Sequence, residues 1–236
     1  MTFSPVDPPE RQSLGTRVYE QIREVIVSLQ AEPGSMLYEN ELAAALRVSR
    51  TPIREAIRML AGEKLIEVLP QRGTRIARIS VARVAEARFV REQLEEGAFR
   101  QAASLWPLAD RSLTEQRLTE LLEKQRLAAQ AGDMYGFLLA DEAFHRQIMA
   151  VAGNAMLQEI IDQVRAHINR MRLLSMREFR HMEHVMEEHM GLLEALRRGD
   201  EEQTAARLKV HIGKLEEELP ELIARYPHFF EEEQER

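Results

Sequence analysis

Apolar residues Leu14, Val18, Ile22, Ile26 and Leu29 recur every three to four positions, the spacing that turns one face of a helix toward a core. Pro33-Gly34 stops that run. A shorter helix is predicted over 39–46, with Leu42, Ala43 and Leu46 on one face. Tyr38 stands where a capping serine or aspartate is expected, although Glu41 can interact with the first turn. Ser49-Arg50-Thr51-Pro52 is a strong start signal: Ser49 or Thr51 can cap, and Pro52 falls where a missing N–H costs nothing. Ile53, Ala56, Ile57 and Leu60 then form one apolar stripe that leaves Arg50, Thr51, Arg54 and Arg58 elsewhere on the surface. After Gly62 the period changes, predicting strands near 66–69 and 74–79 around a turn at Pro70-Gln71-Arg72-Gly73. Three helices followed by a hairpin predict a winged helix-turn-helix over 13–79.

From Val81 onward helical periodicity is continuous, in segments near 81–105, 111–131, 133–152, 155–177, 180–198 and 201–219. The breaks fall at Trp106-Pro107, Gly132-Asp133, Gly153-Asn154, Ser175 and Gly199-Asp200. The fold class predicted is therefore mainly α, with an all-helical six-helix bundle over 80–220 following the winged head. Residues 1–12, with three prolines, read as a flexible arm, and 221–236 as an acidic tail that frays.

Length and composition narrow the classes. The 236 residues fit one large domain or two ordinary ones, and 44% hydrophobic with 30% charged is a soluble globular balance. The absence of cysteine excludes disulfide scaffolds, zinc ribbons and thiol catalysis. No apolar run approaches the ~18 residues of a membrane span, and the N-terminus lacks a signal-peptide core, so a cytoplasmic protein without membrane contact is expected. The net charge of −7 argues against nucleic acid until it is divided along the chain. From Ser13 to Ile79 there are ten Lys/Arg against eight Asp/Glu, and from Ser80 onward 21 against 29. A mildly basic head on an acidic body is compatible with DNA, because phosphate attraction depends on local charge.

A helix that enters the major groove needs long hydrogen-bonding side chains near its N-terminus and a dry opposite face. The third predicted helix has both. Arg50 and Arg54 lie one turn apart, and a guanidinium that grips guanine O6 and N7 is worth ~1–3 kcal/mol of discrimination. Thr51 suits a phosphate or a thymine methyl, while Arg72-Gly73 at the hairpin tip can approach the minor groove or the backbone. The bland alternative, a merely solvated arginine face, loses ground to the capped start, the short preceding helix and the hairpin at the right distance. The reading fails if Arg50 and Arg54 are sequestered in the interior or locked to acidic neighbours.

The run NELAAALRVSRTPIREAIRMLAGEKLIEVLPQRGTRIARI resembles the DNA-binding domain of GntR-type bacterial regulators. The resemblance implies that Arg50 and Arg54 read bases, that Thr51 touches the backbone and that Gly73 makes the wing contact. Two departures stand out. Asn40 replaces an arginine that many members use on DNA, implying altered operator preference or weaker binding. Arg47 replaces the usual turn glycine, and so must accept a left-handed conformation at ~1 kcal/mol of strain, or the turn must differ.

In the second domain Asp141 and His145 are four apart on one predicted helix, a spacing that can clamp a metal. His189 and His211 occupy separate helices among apolar neighbours; His167, His181 and His184 compete as ligands, and a satisfied core histidine is the bland alternative for each. Residues 84–212, with VREQLEEGAFRQAA, DEAFHRQIMAVAGNAMLQEII and MEEHMGLLEALRRGD, resemble the FCD effector domain of the FadR branch of the family. That resemblance implies Asp141, His145, His189 and His211 as ligands of a divalent ion (Zn, Ni, Mn or Fe, with zinc foremost), and places His181 and His184 beside the site. Arg91, before Leu94-Glu95, matches a motif arginine that can orient an effector carboxylate, with an interhelical ion pair as its alternative. Asn169 and Arg172 are weaker pocket candidates.

The function expected is a ligand-responsive transcription regulator of the repressor type. It would bind an inverted-repeat operator as a homodimer and take a small carboxylate effector at a metal-assisted site. The alternative is a metal-dependent hydrolase fused to a DNA-binding head, disfavoured because no separate general base stands out and Glu142 is expected on another face. A third possibility is a metal that is purely structural, or none.

Overall fold

The computed structural model describes residues 13–232. These form two compact units: the residues up to Val81 together with those from Ile223 onward, and Ala82–Leu222. The proposed arm at 1–12 lies outside the described residues.

The first unit begins with α1 (Leu14–Val27), capped by the Ser13 hydroxyl, which accepts from the Thr16 N–H at 3.1 Å. Strand β1 (Met36–Leu37), α2 (Glu39–Leu46), α3 (Arg50–Gly62), β2 (Ile66–Leu69) and β3 (Gly73–Ile76) follow. Val18, Ile22 and Ile26 of α1 and Ile53, Ala56 and Leu60 of α3 are fully withdrawn from water, so the two helical stripes legible in the sequence share one core. The sheet is antiparallel in the order β1-β3-β2. Two-residue β1 was not predicted, because a run that short has no period to read; it pairs Met36 with Arg75 and Leu37 with Thr74.

The turn between α2 and α3 is the one the helix-turn-helix requires. Arg47 adopts φ 55°, ψ 43°, the left-handed conformation expected of it at this turn, so the strain of ~1 kcal/mol is carried there. Ser49 occupies the N-cap of α3 with extended backbone but makes no side-chain cap bond. Tyr38 likewise caps α2 only through its backbone.

The chain's last described stretch corrects an expectation. The last long helix, α9 (Glu201–Arg225), runs past the expected end, and a 3-10 turn, Pro227–Phe229, follows it. The Ile79 N–H donates to the Phe229 carbonyl at 2.7 Å, and the Glu231 N–H donates to the Ile79 carbonyl at 3.0 Å. Phe229 and Phe230 are buried. The tail read as fraying from its acidic residues is thus held as far as these bonds extend, because two phenylalanines precede the glutamates.

The second unit is built from α4 (Val81–Leu105), α5 (Ser112–Ala131), α6 (Met134–Ala152), α7 (Ala155–Phe179), α8 (Met182–Arg197) and α9 (Glu201–Arg225). Phe99, Phe144, Ile148, Leu192, Leu196 and Leu208 belong to its apolar core. The break predicted at Ser175 is absent: α7 continues to Phe179 and ends on Arg180 in the left-handed region. Ser175 is buried and its hydroxyl donates to Glu218, so it serves packing between α7 and α9 rather than ending a helix. Among the described residues no helix is long and apolar enough to cross a membrane.

Candidate DNA-reading face and metal centre

Arg50, Thr51, Arg54 and Asn40 are all exposed, and so are Arg72 and Gly73 at the hairpin tip. Gly73 holds φ 101°, which a side chain would strain; the nearest atom to an added Cβ, Met36 Cε, is at an unstrained 3.5 Å. Arg50 and Arg54 are not free of acidic neighbours. Arg50 Nη2 and Arg54 Nε each donate to the same oxygen, Glu39 Oε2, at 2.9 Å. The two hydrogen bonds hold the Glu39 carboxyl below its ordinary range.

Magnitude decides whether this is a lock. The arginine side chains remain 56% and 55% exposed, and an exposed ion pair is worth ~0–1 kcal/mol. A bidentate guanine contact is worth ~1–3 kcal/mol of discrimination, so a pair this exposed does not bar the arginines from a base edge. Neither arginine is sequestered.

In the second unit Asp141, His145, His189 and His211 are all buried, each with a potential ligand atom within 4.8 Å of the others. His145 Nε2 lies 3.3 Å from His189 Nε2 and 3.2 Å from His211 Nε2. Outside the rings, every Nδ1 has an acceptor: Glu95 Oε2 at 2.7 Å for His145, Gln125 Oε1 at 2.9 Å for His189 and Glu188 Oε2 at 2.8 Å for His211. Burial raises the Glu95 carboxyl, but Arg91 and His145 outweigh it and hold it far below the usual range. For Glu188 burial is likewise outweighed, chiefly by the His211 hydrogen bond, and its carboxyl falls to about 2. The Glu95 and Glu188 carboxylates and the Gln125 amide oxygen accept the Nδ1 protons, which leaves each Nε2 facing inward with its lone pair. Burial keeps His189 and His211 below the ordinary histidine range, hence neutral at pH 7.

Three imidazole nitrogens facing one another at this range need a proton or a metal cation between them. Asp141 supplies the complement. It is fully buried, and neither carboxylate oxygen has a hydrogen-bond partner of good geometry. Burial raises its carboxyl, but the Arg172 guanidinium, with Nη2 at 2.6 Å, leads the charges that bring it far below its ordinary value. Three imidazoles and one carboxylate suit Zn, Ni, Mn or Fe, so the residues fit a divalent ion.

Of the competing histidines, His167 is buried beside Arg170, His184 is exposed and His181 is half-buried near Glu218; none joins the cluster. Sequence reasoning missed Glu95, Gln125 and Glu188. Gln125 had a legible signal: it continues the Leu118, Leu121, Leu122 stripe of α5, a polar residue on a core face. Glu95 shares the core face of α4 with Arg91 and Phe99. Glu188 carried no such signal. Removing an outer partner typically costs 10–100-fold in metal affinity. Gln125→Leu is therefore expected to weaken divalent-ion binding by about 10–100-fold in a calorimetric titration, while the far-UV spectrum stays unchanged.

A family model described as bacterial regulatory proteins of the gntR family matches residues 14–76, and a model of the FCD domain matches 86–214. The chain belongs to the GntR family and carries an FCD domain. The HTH-type transcriptional repressor RspR of Escherichia coli (strain K12) is 28% identical over 94% of this chain and 96% of its own length. The gluconate operon transcriptional repressor of Bacillus subtilis (strain 168) is 27% identical over 90% of this chain and 87% of its own. The solved structure of E. coli McbR/YncC superimposes with a TM-score of 0.75 at 25% identity, covering 92% of this chain and all of that one. This GntR-family chain is a transcriptional regulator, not an enzyme, and the hydrolase alternative falls.

In the regulator's FCD unit a cleft of about 530 Å³, open to solvent, is lined in part by Arg88, Arg91, Arg172, Ser175, Lys214 and His211. A smaller one of about 250 Å³ touches His145, Glu142 and Asn169 and shares Arg91 and Arg172 with the first. Arg91 donates to Glu95 at 2.7 Å on its own helix, so its pair is intrahelical rather than the interhelical one weighed from sequence. Glu142 points away from the metal ligands, receiving Asn169 Nδ2 and sitting 3.0 Å from Arg165.

Proposed function

We propose that this GntR-family regulator is a cytoplasmic repressor that binds an inverted-repeat operator as a homodimer and is released by a small carboxylate held beside a divalent ion. In this reading α3 of each protomer enters one half-site, Arg50 and Arg54 meet guanine edges, Thr51 and Asn40 lie near the backbone, and Arg72-Gly73 reach along the groove. The observation that carries the sensor half is the convergence of three imidazole Nε2 atoms and Asp141 beside a cleft rich in arginine. A bound ion would supply Lewis acidity and open coordination positions for an incoming carboxylate.

The chain's own residues do the rest. Arg172 has Asp141 as its charge partner and lines both clefts. Once Asp141 shares its charge with an ion, the Arg172 fork is the group best placed to turn toward a ligand carboxylate. Arg91, fixed by Glu95, lends positive potential, and Asn169, fixed by Glu142, offers a carbonyl to a ligand hydroxyl.

The test is operator binding by the full chain. A duplex enriched by the protein from a random library is titrated with metal-loaded and chelated protein, with and without a panel of small mono- and dicarboxylates. At least one carboxylate should weaken binding by about 5–150-fold, and only in the loaded protein. Affinity that ignores every carboxylate overturns the sensor role, and an equal response after chelation reduces the ion to scaffolding.

A further inference from the structure

We infer that Glu39 is a positioning residue for the base-facing arginines, and that it raises the discrimination between operator and unrelated DNA rather than the affinity for DNA in general. The inference rests on the assignment of Arg50 and Arg54 as base readers. A carboxylate on a DNA-reading face is electrostatically costly, since it faces the phosphates that the head, with a surplus of only two positive charges, must attract. Its placement shows what it does in return.

Arg50 and Arg54 are like charges one turn apart on α3, a pairing that is mildly repulsive and would splay two long, rotamer-rich side chains. Glu39 Oε2 accepts from both at 2.9 Å and so draws them to one point. The anion is itself fixed. Glu39 is the first residue of α2, where the helix dipole favours negative charge, and the α2 N-cap, Tyr38, offers no side-chain bond that would compete. Both arginines hold it ionised. Arg54 commits only Nε, leaving both terminal Nη groups for an end-on fork toward a base.

Two consequences follow. Side chains already gathered over one spot lose less freedom on reaching guanine, which favours the matched site. The same anion weakens every complex in which the arginines would merely grip phosphate, which penalises the unmatched site. Both effects move the specificity ratio in one direction.

The experiment compares the full-length protein with Glu39→Gln, Glu39→Asp, Arg54→Ala and the Glu39→Gln/Arg54→Ala pair. The duplexes are the one enriched from a random library and a scrambled duplex of equal length, at several salt concentrations. Glu39→Gln should lower the enriched-to-scrambled affinity ratio by about tenfold, with the scrambled duplex bound as tightly as before or tighter. Glu39→Asp, which keeps the charge on a shorter arm, should recover part of the ratio. In the Arg54→Ala background the Glu39→Gln effect on the ratio should shrink, since half of what Glu39 positions is gone. Thermal melts confirm folding, and if Glu39→Gln melts early the Glu39→Asp ratio alone carries the comparison. An unchanged ratio, or equal tightening of both duplexes, overturns the inference and makes Glu39 a bystander charge. An Arg54→Ala ratio equal to that of the unaltered protein instead overturns the base-reading assignment beneath it.

Discussion

Protein carrying His145→Ala is expected to lose more than about 100-fold in affinity for a divalent ion, because even an outer partner of a ligand is worth about 10–100-fold. His145 is the right residue to remove, since its Nε2 is within 3.3 Å of both other imidazole nitrogens. The loss is readable without DNA. An ion at 1,000 times its dissociation constant stabilises the state that binds it by ~4 kcal/mol. For a chain of this size that raises the melting temperature by about 10 °C in the unaltered protein. In His145→Ala the rise should disappear. The metal-free variant should itself melt only modestly lower, because Glu95 keeps Arg91 as a partner when the imidazole goes. A full metal-induced rise in the variant removes His145 from the ligand set. No rise in the unaltered protein with Zn, Ni, Mn or Fe makes the cluster a polar core without an ion.

Arg54→Ala should act in the other unit. Loss of a bidentate guanine contact costs ~1–3 kcal/mol, or about 5–150-fold in affinity for a matched duplex. It should also relax the sequence preference at one base pair of each half-site. The salt dependence distinguishes this from loss of a phosphate contact, which would weaken all sequences alike and lower the slope by about one ion. Arg54 is more than half exposed and opposite the apolar stripe of α3, so melting should be unaffected. Uniform weakening of matched and scrambled duplexes would reassign Arg54 to the phosphate backbone.

Local physics was legible in the sequence where one element suffices to express it. The start of α3 at Ser49-Arg50-Thr51-Pro52, the hairpin after Gly62 and the left-handed Arg47 each follow from a few adjacent residues, and each is present. Asp141 and His145 could be paired from their helical spacing alone. His189 and His211 could not, since nothing local separates them from His167 or His184; the resemblance to the FCD domain made that choice, and the structure brings the four together. What escaped was contact made over long sequence distances. Glu39 meets α3 from the preceding helix, Glu95 reaches His145 from fifty residues away, and Gln125 reaches His189 across sixty-four. Ser175 misled for a related reason: its polarity is answered by Glu218 on another helix, not by water.

The pairing of Ile79 with Phe229 and Glu231 has a consequence for biosynthesis. Ile79, just past β3, waits for a partner that the ribosome delivers only after the whole of Ala82–Leu222 has been made. At usual translation speeds that interval is on the order of ten seconds, far longer than a small helical unit needs to collapse. The unit begun first is therefore finished last, and a nascent chain stalled before Pro227 would carry a head whose final hydrogen bonds are still unmade.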